Sequence, residues 1–469
     1  MATTAAPSPG TQDVPITRVA TASLIGTTIE FYDFFIFGTA SALVFGRLFF
    51  PSLSPLAGTL ASFAAFGVAF AARPLGALIF GHFGDRVSRK QMLVTTVVMM
   101  GVSTVAVGCL PTYDTIGVAA PILLVCCRLV QGIALGGEWG GAVLMAAEHA
   151  PRNRRAFYAS WPQVGVPLGL VMGTALFYGI QRLPASGLES LGWRIPFLAS
   201  TVLVVVGLYI RLKIDDSPAF RVVKKANAAE RFPAAVVLRS APKALLFGAL
   251  ANAATGVLFY MATTFAYTYG SHAGFSHGSM LLAVGVASLI EVGTIPVVGA
   301  ALDRYGRRPV LMTGCAATIV WAFPFFALID TGNIIALIIS FLVALPVCHA
   351  LVYTPTSSFV PELYPTRLRY SGAAMSQTLG VLAFSAPVPF IAATVFSATS
   401  SAWPLAIYII AGGALNLIVV ILARETKNDP THWTDRPTEA RALPKPATEP
   451  EPTVRGGSQD FHRGNGTTR

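Results

Sequence analysis

Gly81-His82-Phe83-Gly84-Asp85-Arg86-Val87-Ser88-Arg89-Lys90 and Gly299-Ala300-Ala301-Leu302-Asp303-Arg304-Tyr305-Gly306-Arg307-Arg308 are two copies of one block, 218 positions apart. Each follows a long apolar stretch and precedes another. A charged turn repeated between apolar segments implies a membrane chain built from two related halves, an arrangement that transporters use.

Composition agrees. The chain is 54% hydrophobic and only 12% charged, with a mean hydropathy of +0.63. A soluble chain carries roughly 25% charged residues. Segments of about 20 apolar residues span a ~30 Å hydrocarbon layer as helices. Twelve such segments lie near 20–45, 57–81, 91–110, 119–147, 157–181, 194–213, 244–270, 278–302, 309–329, 333–359, 371–396 and 402–423. An even number places both termini on one side.

Loop charge orients the chain. The loops after helices 2, 4, 6, 8 and 10 hold 19 Lys or Arg, against Arg47, Arg182 and Arg194 on the other side. The positive-inside rule puts the basic loops and both termini in the cytoplasm of a multi-pass inner (plasma) membrane protein. The net charge of +11 thus reflects topology and not nucleic-acid binding. The first 17 residues lack the basic start of a cleavable signal, so helix 1 serves as its own insertion signal.

A second repeat supports the first. Glu148, Pro151 and Arg152/Arg154/Arg155 close helix 4, as Glu362, Pro365 and Arg367/Arg369 close helix 10. The expected organisation is a cytoplasmic segment 1–17, a six-helix half 18–213, a polar cytoplasmic linker 214–242, a second half 243–424 and a tail 425–469. The tail has six prolines and seven residues of each charge, a composition of disordered chain. The linker's basic residues suit a solvated tether or anionic headgroups. The five cysteines lie in apolar segments without metal-ligand spacing and read as packing residues.

These motifs resemble the major facilitator superfamily, and more finely its metabolite:proton symporter family of shikimate, α-ketoglutarate, citrate and proline/betaine permeases. The resemblance covers residues 18–424. It rests on Gly26 to Phe34 with Glu30 and Asp33, Arg73 to Gly76, the Gly81–Arg86 block, Arg128-Leu129-Val130-Gln131-Gly132, and Gly136 to Gly141 around Glu138 and Trp139. Asp216 to Phe220 and Pro361 to Gly372 complete it. It implies an all-α membrane protein of twelve transmembrane helices in two six-helix halves, the major facilitator fold.

Ionisable side chains inside the membrane cost about 2.5–3.5 kcal/mol each and are functional candidates by default. Here they are Glu30, Asp33, Arg73, Arg128, Glu138, Glu291 and His349. Glu30 and Asp33 share a helical face about 15–20 Å deep. Two carboxylates so close resist double ionisation, which is the chemistry of proton exchange; the structural alternative is ion pairing to arginines. The resemblance assigns proton transfer to Arg128; their charge at mid-membrane depth makes Glu30, Asp33 and Glu138 candidate coupling acids. Arg73 either binds an anionic substrate or pairs with Glu30 or Glu138. Glu291 has no counterpart in these motifs and reads as a second protonation site or a structural pair.

Gln163, Asn252, Tyr260, Tyr353 and Gln377 join Arg73 as candidate substrate contacts; each equally suits an interhelical hydrogen bond. The resemblance makes Gly81, Asp85, Arg86, Arg89 and Lys90 a gating latch on helix 11, with Asp303, Arg304, Arg307, Arg308, Glu148, Glu362 and Arg369 as further gate residues. Ser88 departs from the usual glycine, which Gly306 keeps.

There is no phosphate-binding Gly-rich loop and no nucleophile–base motif, so the chain reads as a non-enzyme without metal or cofactor, driven by a proton gradient. The expectation is import by alternating access of a small polar metabolite, an organic acid or zwitterion, with proton symport, by a monomer in the lipid bilayer. The alternative is proton antiport exporting a drug or metabolite. It is disfavoured because Gly165-Val166-Pro167-Leu168-Gly169 lacks an adjoining Gly-Pro pair. A non-transporting receptor would be expected to carry an extra domain.

Overall fold

The computed structural model describes residues 16–86, 89–136, 139–180, 187–212, 233–365 and 368–427. Among them, ten helices are long and apolar enough to cross a membrane, and two shorter apolar helices complete twelve. They are α1 (Ile16–Phe49), α2 (Pro55–Arg86), α3 (Arg89–Cys109), α4 (Ala119–Leu135, resuming at Trp139–His149), α5 (Arg155–Ile180) and α6 (Arg194–Leu212). The remainder are α7 (Pro242–His272), α8 (His277–Tyr305), α9 (Arg307–Asp330), α10 (Ile334–Glu362), α11 (Arg369–Thr399) and α12 (Trp403–Leu422).

The packing repeats when six is added to every helix number. α1 packs on α5 as α7 packs on α11. α2 packs on α4 as α8 packs on α10, and α3 on α6 as α9 on α12. The cross-contacts obey the same rule, α5 on α8 and α11 on α2. A repeated sequence block has therefore produced a repeated set of helix contacts, the signature of related halves.

Small residues set the closest approaches, as packing without a hydrophobic drive between helices requires. A Cβ on Gly132 would collide with the Ala69 carbonyl, and one on Gly76 with the Ile133 carbonyl, so α2 and α4 touch backbone to backbone.

Three helices contain a wide, π-helical turn: Ser41–Phe45 in α1, Met261–Phe265 in α7 and Ala344–His349 in α10. α4 is described over Ala119–Leu135 and Trp139–His149, and α5, α7 and α11 have short turns at Ser160, Ala251–Asn252 and Ser385–Pro387. The π-helical turns re-aim side chains, and turns of that kind recur at functional sites.

Two segments expected to be unstructured contain ordered stretches. Pro233–Ser240, within the 214–242 linker, is helical. Its Val237 is buried with Leu245, Tyr364 and Leu368. Residues 425–427, the start of the tail, bind the end of the helical bundle through Arg304, Arg307, Arg308 and Glu362.

Candidate functional site: a two-half cavity with buried ionisable groups

A central cavity of about 40 Å³ is walled by both halves. Glu30, Arg73 and Val166 come from α1, α2 and α5. Asn252 and Tyr260 come from α7, His349 and Tyr353 from α10, and Gln377 from α11. A space of that size has room for a water or two. Aromatic rings from the two halves meet beside it: Phe34 and Phe70 lie 5.9 and 5.6 Å from Tyr260, and Phe35 lies 5.6 Å from Phe259.

Arg73 and Glu30 face each other at 3.9 Å, both nearly buried. This loose contact leaves the Arg73 Nε without a hydrogen-bond partner among the described residues. The guanidinium also lies 5.2 Å from the Phe70 ring centroid. Asn252 donates to the Gly248 carbonyl of its own helix at 3.0 Å. Gln377 Oε1 has no partner among the described residues.

Gln163 departs from its expected place. It is not on the cavity wall; its Nε2 donates to the Tyr353 carbonyl and to Thr356 Oγ1, each at 3.3 Å. It therefore ties α5 of one half to α10 of the other. This is the interhelical bond that an amide here equally suits, while Val166, one turn on, lines the cavity.

Asp33 lies one turn beyond Glu30, and both line a separate small void of about 20 Å³ with Met100, Thr104 and Ser200. Arg128 does not reach Asp33 directly. Its Nη1 donates to Gln131 Oε1 at 2.7 Å, and Gln131 Nε2 donates to Asp33 Oδ2 at 3.0 Å and to Thr104 Oγ1 at 2.9 Å. Arg128 is completely buried, and its guanidinium sits 3.9 Å from the Phe37 ring centroid. A cation on an aromatic face replaces part of its lost hydration. Gln131 and Thr104 are site residues that the sequence reading misses. Gln131's position three residues after Arg128, on the same helical face, is the signal that finds it.

Glu291 and His349 form a second buried pair. His349 Nδ1 and Glu291 Oε1 are 2.5 Å apart, and both side chains are essentially inaccessible. The imidazole stacks on Tyr353 at 4.9 Å and lies 4.5 Å from Phe259.

At the face carrying both described chain ends, Asp303 accepts from the backbone N–H groups of Ala156 and Phe157, at 3.0 and 2.9 Å. These lie in the first turn of α5, so a carboxylate of one half sits on a helix N-terminus of the other. Such a contact stabilises by about 0.3–1 kcal/mol, and up to ~2 when partly buried. Gly299 packs against Phe157 and Ser160 at the same junction.

Arg307 makes a two-pronged contact with Glu362, at 2.9 and 3.1 Å. Thr426 Oγ1 donates to the same Glu362. Arg308 donates to the Val420 and Ile421 carbonyls that end α12. Glu425 receives the Arg307 and Arg308 N–H groups at 3.0 and 2.9 Å, capping α9. Lys427 Nζ donates to the Arg304 carbonyl at 2.7 Å. Burial works against the Glu425 carboxylate, but backbone N–H donors of Arg307, Arg308, Lys427 and Thr426 outweigh it and hold its pKa below the usual value. Gly306 has φ +100°, a conformation that only glycine adopts readily.

Arg304 lies against Tyr305, 5.2 Å from the ring centroid, and Arg369 is buried at the start of α11. Glu138 and Ser88 lie outside the described residues. The helices carrying Gly81, Asp85, Arg86, Arg89, Lys90 and Glu148 are described, but their side chains are not.

Relatives match over most of the chain. It is 39% identical over 418 residues to the inner membrane metabolite transport protein YhjE of Escherichia coli (strain K12), covering 88% of this chain and 94% of that one. It is 38% identical to the shikimate transporter of the same organism over 415 residues, covering 87% and 95%. It is 34% identical to the E. coli proline/betaine transporter over 436 residues, covering 89% and 85%. In fold it matches a D-xylose-proton symporter crystal structure with a TM-score of 0.69 at 17% identity, covering 88% and 99%. The family model of the Major Facilitator Superfamily matches residues 24–388. The twelve-helix arrangement, the family match and these relatives together make the chain a multi-pass membrane transporter of small metabolites, not an enzyme, and a member of the Major Facilitator Superfamily.

Proposed function

We propose that the protein imports a small carboxylate or zwitterion together with a proton, by alternating access, across the inner membrane with both termini in the cytoplasm. The observation that carries this reading is the arrangement around Asp33. A buried carboxylate and a buried guanidinium are separated by one neutral amide, and among the described residues Asp33 Oδ1 and Arg128 Nε and Nη2 are unpartnered. Removing Asp33's charge by protonation removes its attraction to Arg128. A rearrangement of Gln131 then costs little, because it exchanges one hydrogen bond for another. Glu30 borders both the central cavity and the Asp33 void, so it is placed to pass a proton between them.

Substrate contacts are Arg73 for a carboxylate, with Asn252, Tyr260, Tyr353 and Gln377 for neutral polar groups. The acids Glu30, Asp33, Glu138 and Glu291 outnumber Arg73 and Arg128, which argues against a highly charged anion. All these groups belong to one chain, so a monomer suffices. The similarity to shikimate and proline/betaine transporters favours the same two substrate classes.

Alternating access follows from the paired cross-contacts α5–α8 and α11–α2. The halves 18–213 and 243–424 rock about the cavity. Asp303 on α5 is the latch that holds the basic face. A depression of about 240 Å³ on the other face lies between Ala42 and Thr59 of one half and Tyr267, Thr268 and His272 of the other. A further depression of about 430 Å³ lies beside Asp303 at the basic face, and the reading these contacts support is a carrier with an occluded centre.

The test is uptake into proteoliposomes under an inward proton gradient, with shikimate, α-ketoglutarate, proline and glycine betaine as probes. Accumulation that a protonophore collapses is expected for at least one of them. Substrate efflux driven by proton entry would replace this reading with antiport.

A further inference from the structure

Glu291 and His349 are not needed for the Asp33 relay, yet His349 lines the central cavity and Glu291 is bonded to it. They are contributed by α8 and α10, both in the second half, whereas Asp33, Gln131 and Arg128 are contributed by α1 and α4 in the first. The pair is completely enclosed, and its partners meet at 2.5 Å. Glu291 Oε2 has no hydrogen-bond partner among the described residues. A structural ion pair with free choice of partner would close that valence, since each unpaired buried polar atom costs about 1–3 kcal/mol.

The surroundings isolate the pair from other charge on its own side. On α5, which packs on α8, no ionisable side chain lies between Tyr158 and Tyr178. On α9, Cys315 belongs to a separate apolar group with Val352 and Phe359, and Cys348 next to His349 is buried among apolar residues. The titratable groups that face the pair are those of the cavity: Glu30 from α1, Arg73 from α2, Tyr260 from α7 and Tyr353 from α10. Tyr353 stacks on the imidazole at 4.9 Å.

His349 ends the π-helical turn Ala344–His349. One turn further, the Tyr353 carbonyl and Thr356 hydroxyl accept from Gln163 of the other half. The stretch of α10 that carries His349 is therefore bonded to the other half.

We propose that Glu291 and His349 form a second proton-holding site, separate from Asp33, whose occupancy sets the affinity of the cavity for a carboxylate-bearing substrate. This rests on the symport reading above. The pair holds either one exchangeable proton, with a net charge of zero, or none, with a net charge of −1. The proton comes from cavity water, bonds to the imidazole or the carboxylate, and returns to water when it leaves. Its loss puts a negative charge on the wall that a substrate carboxylate must face beside Arg73. Binding of the substrate anion and of the proton are then linked and mutually favourable.

The experiment has two arms. In the first, purified protein in lipid nanodiscs is followed by pH-difference infrared spectroscopy without substrate. A buried carboxyl or imidazole signal is expected that disappears in both Glu291→Gln and His349→Gln and persists in Asp33→Asn. Its absence from the wild type, or its persistence in Glu291→Gln, overturns the proposal.

In the second arm, the half-saturation concentration for shikimate is measured against pH in proteoliposomes, with glycine betaine as the alternative probe. It is expected to rise with pH, by up to about tenfold per unit for one linked proton. The dependence should flatten in Glu291→Gln and equally in His349→Gln. Reduced uptake with the wild-type slope in both variants would make the pair structural and overturn the proposal. If neither probe accumulates even in the wild type, the symport reading fails, and the infrared arm still decides whether the pair holds a proton. Should one variant fail to fold, the other reads the same slope.

Discussion

The two halves bury ionisable groups in opposite ways. In the first half, Asp33 and Arg128 are held apart by Gln131, with Thr104 steadying the amide. In the second, Glu291 and His349 touch directly. The contrast is one of mobility. A neutral amide between two charges allows separation without exposing either to hydrocarbon, because the amide bonds equally well to water or hydroxyl. A direct pair resists separation but exchanges a proton in place. The helix packing of the halves repeats, whereas their buried chemistry does not. Related scaffolds can thus host different proton sites, since a few side chains decide the chemistry and the backbone contacts do not.

The largest effect that would sharpen this comparison is Asp33→Asn. All concentrative, proton-driven uptake should disappear, while counter-flow exchange across equal pH persists. Normal accumulation in that variant would remove Asp33 from coupling. Gln131→Leu tests the spacer. It leaves Asp33 Oδ2 and Arg128 Nη1 without their amide partner, so a loss of about 2–4 kcal/mol of stability is expected from two unmet buried groups, seen as a large fall in melting temperature. Gln131→Glu should restore the bond to Arg128 but set a second carboxylate beside Asp33, moving the pH profile of uptake without the same loss of stability.

The latches offer a smaller contrast. Asp303→Asn keeps a hydrogen-bond acceptor but removes the charge at the α5 N-terminus. A loss of about 0.5–1 kcal/mol is expected, which shifts a two-state balance a few-fold toward opening at the basic face. Accessibility of a cysteine placed at Ser160 reports it; unchanged labelling would show that the contact does not gate.

Glu425→Gln should have the smallest effect and a pH signature. The folded carboxylate has a lowered pKa, so its stabilisation is complete above the unfolded value and is lost as pH falls through the folded one. Wild-type thermal stability should therefore decline on acidification below the ordinary carboxylate range more steeply than that of the variant. Parallel declines would count against the cap.

Much of this is legible in the sequence. Apolar length gives the twelve spans, because a bilayer tolerates only helices whose backbone bonds are internal. The repeated Asp-Arg blocks give the two halves. The cost of burying charge picks out Glu30, Asp33, Arg73, Arg128, Glu291 and His349, and the structure sets Glu30, Arg73 and His349 on one cavity wall. Neutral polar residues are less legible. Asn252, Tyr260, Tyr353 and Gln377 line the cavity, but Gln163 bonds across the halves instead. An amide costs little wherever it finds a partner, so its sequence position does not reveal which partner it has. Glu425 and Thr426 read as tail for a similar reason: their composition matches that of residues 428–469, and only their contacts with Arg307 and Glu362 distinguish them.

Sequence alone determined what must be buried: the apolar spans and the few ionisable groups that hydrocarbon would reject without a purpose. Those properties follow from one-dimensional costs of transfer into lipid. Only the tertiary structure decided pairing. That Gln131 stands between Asp33 and Arg128, that His349 meets Glu291 across 58 residues, and that Asp303 caps a helix of the other half depend on which helix faces lie side by side. Helix-to-helix orientation is set by backbone approach at residues such as Gly76 and Gly132, each within about a turn of Arg73 or Arg128 but meeting a helix distant in sequence.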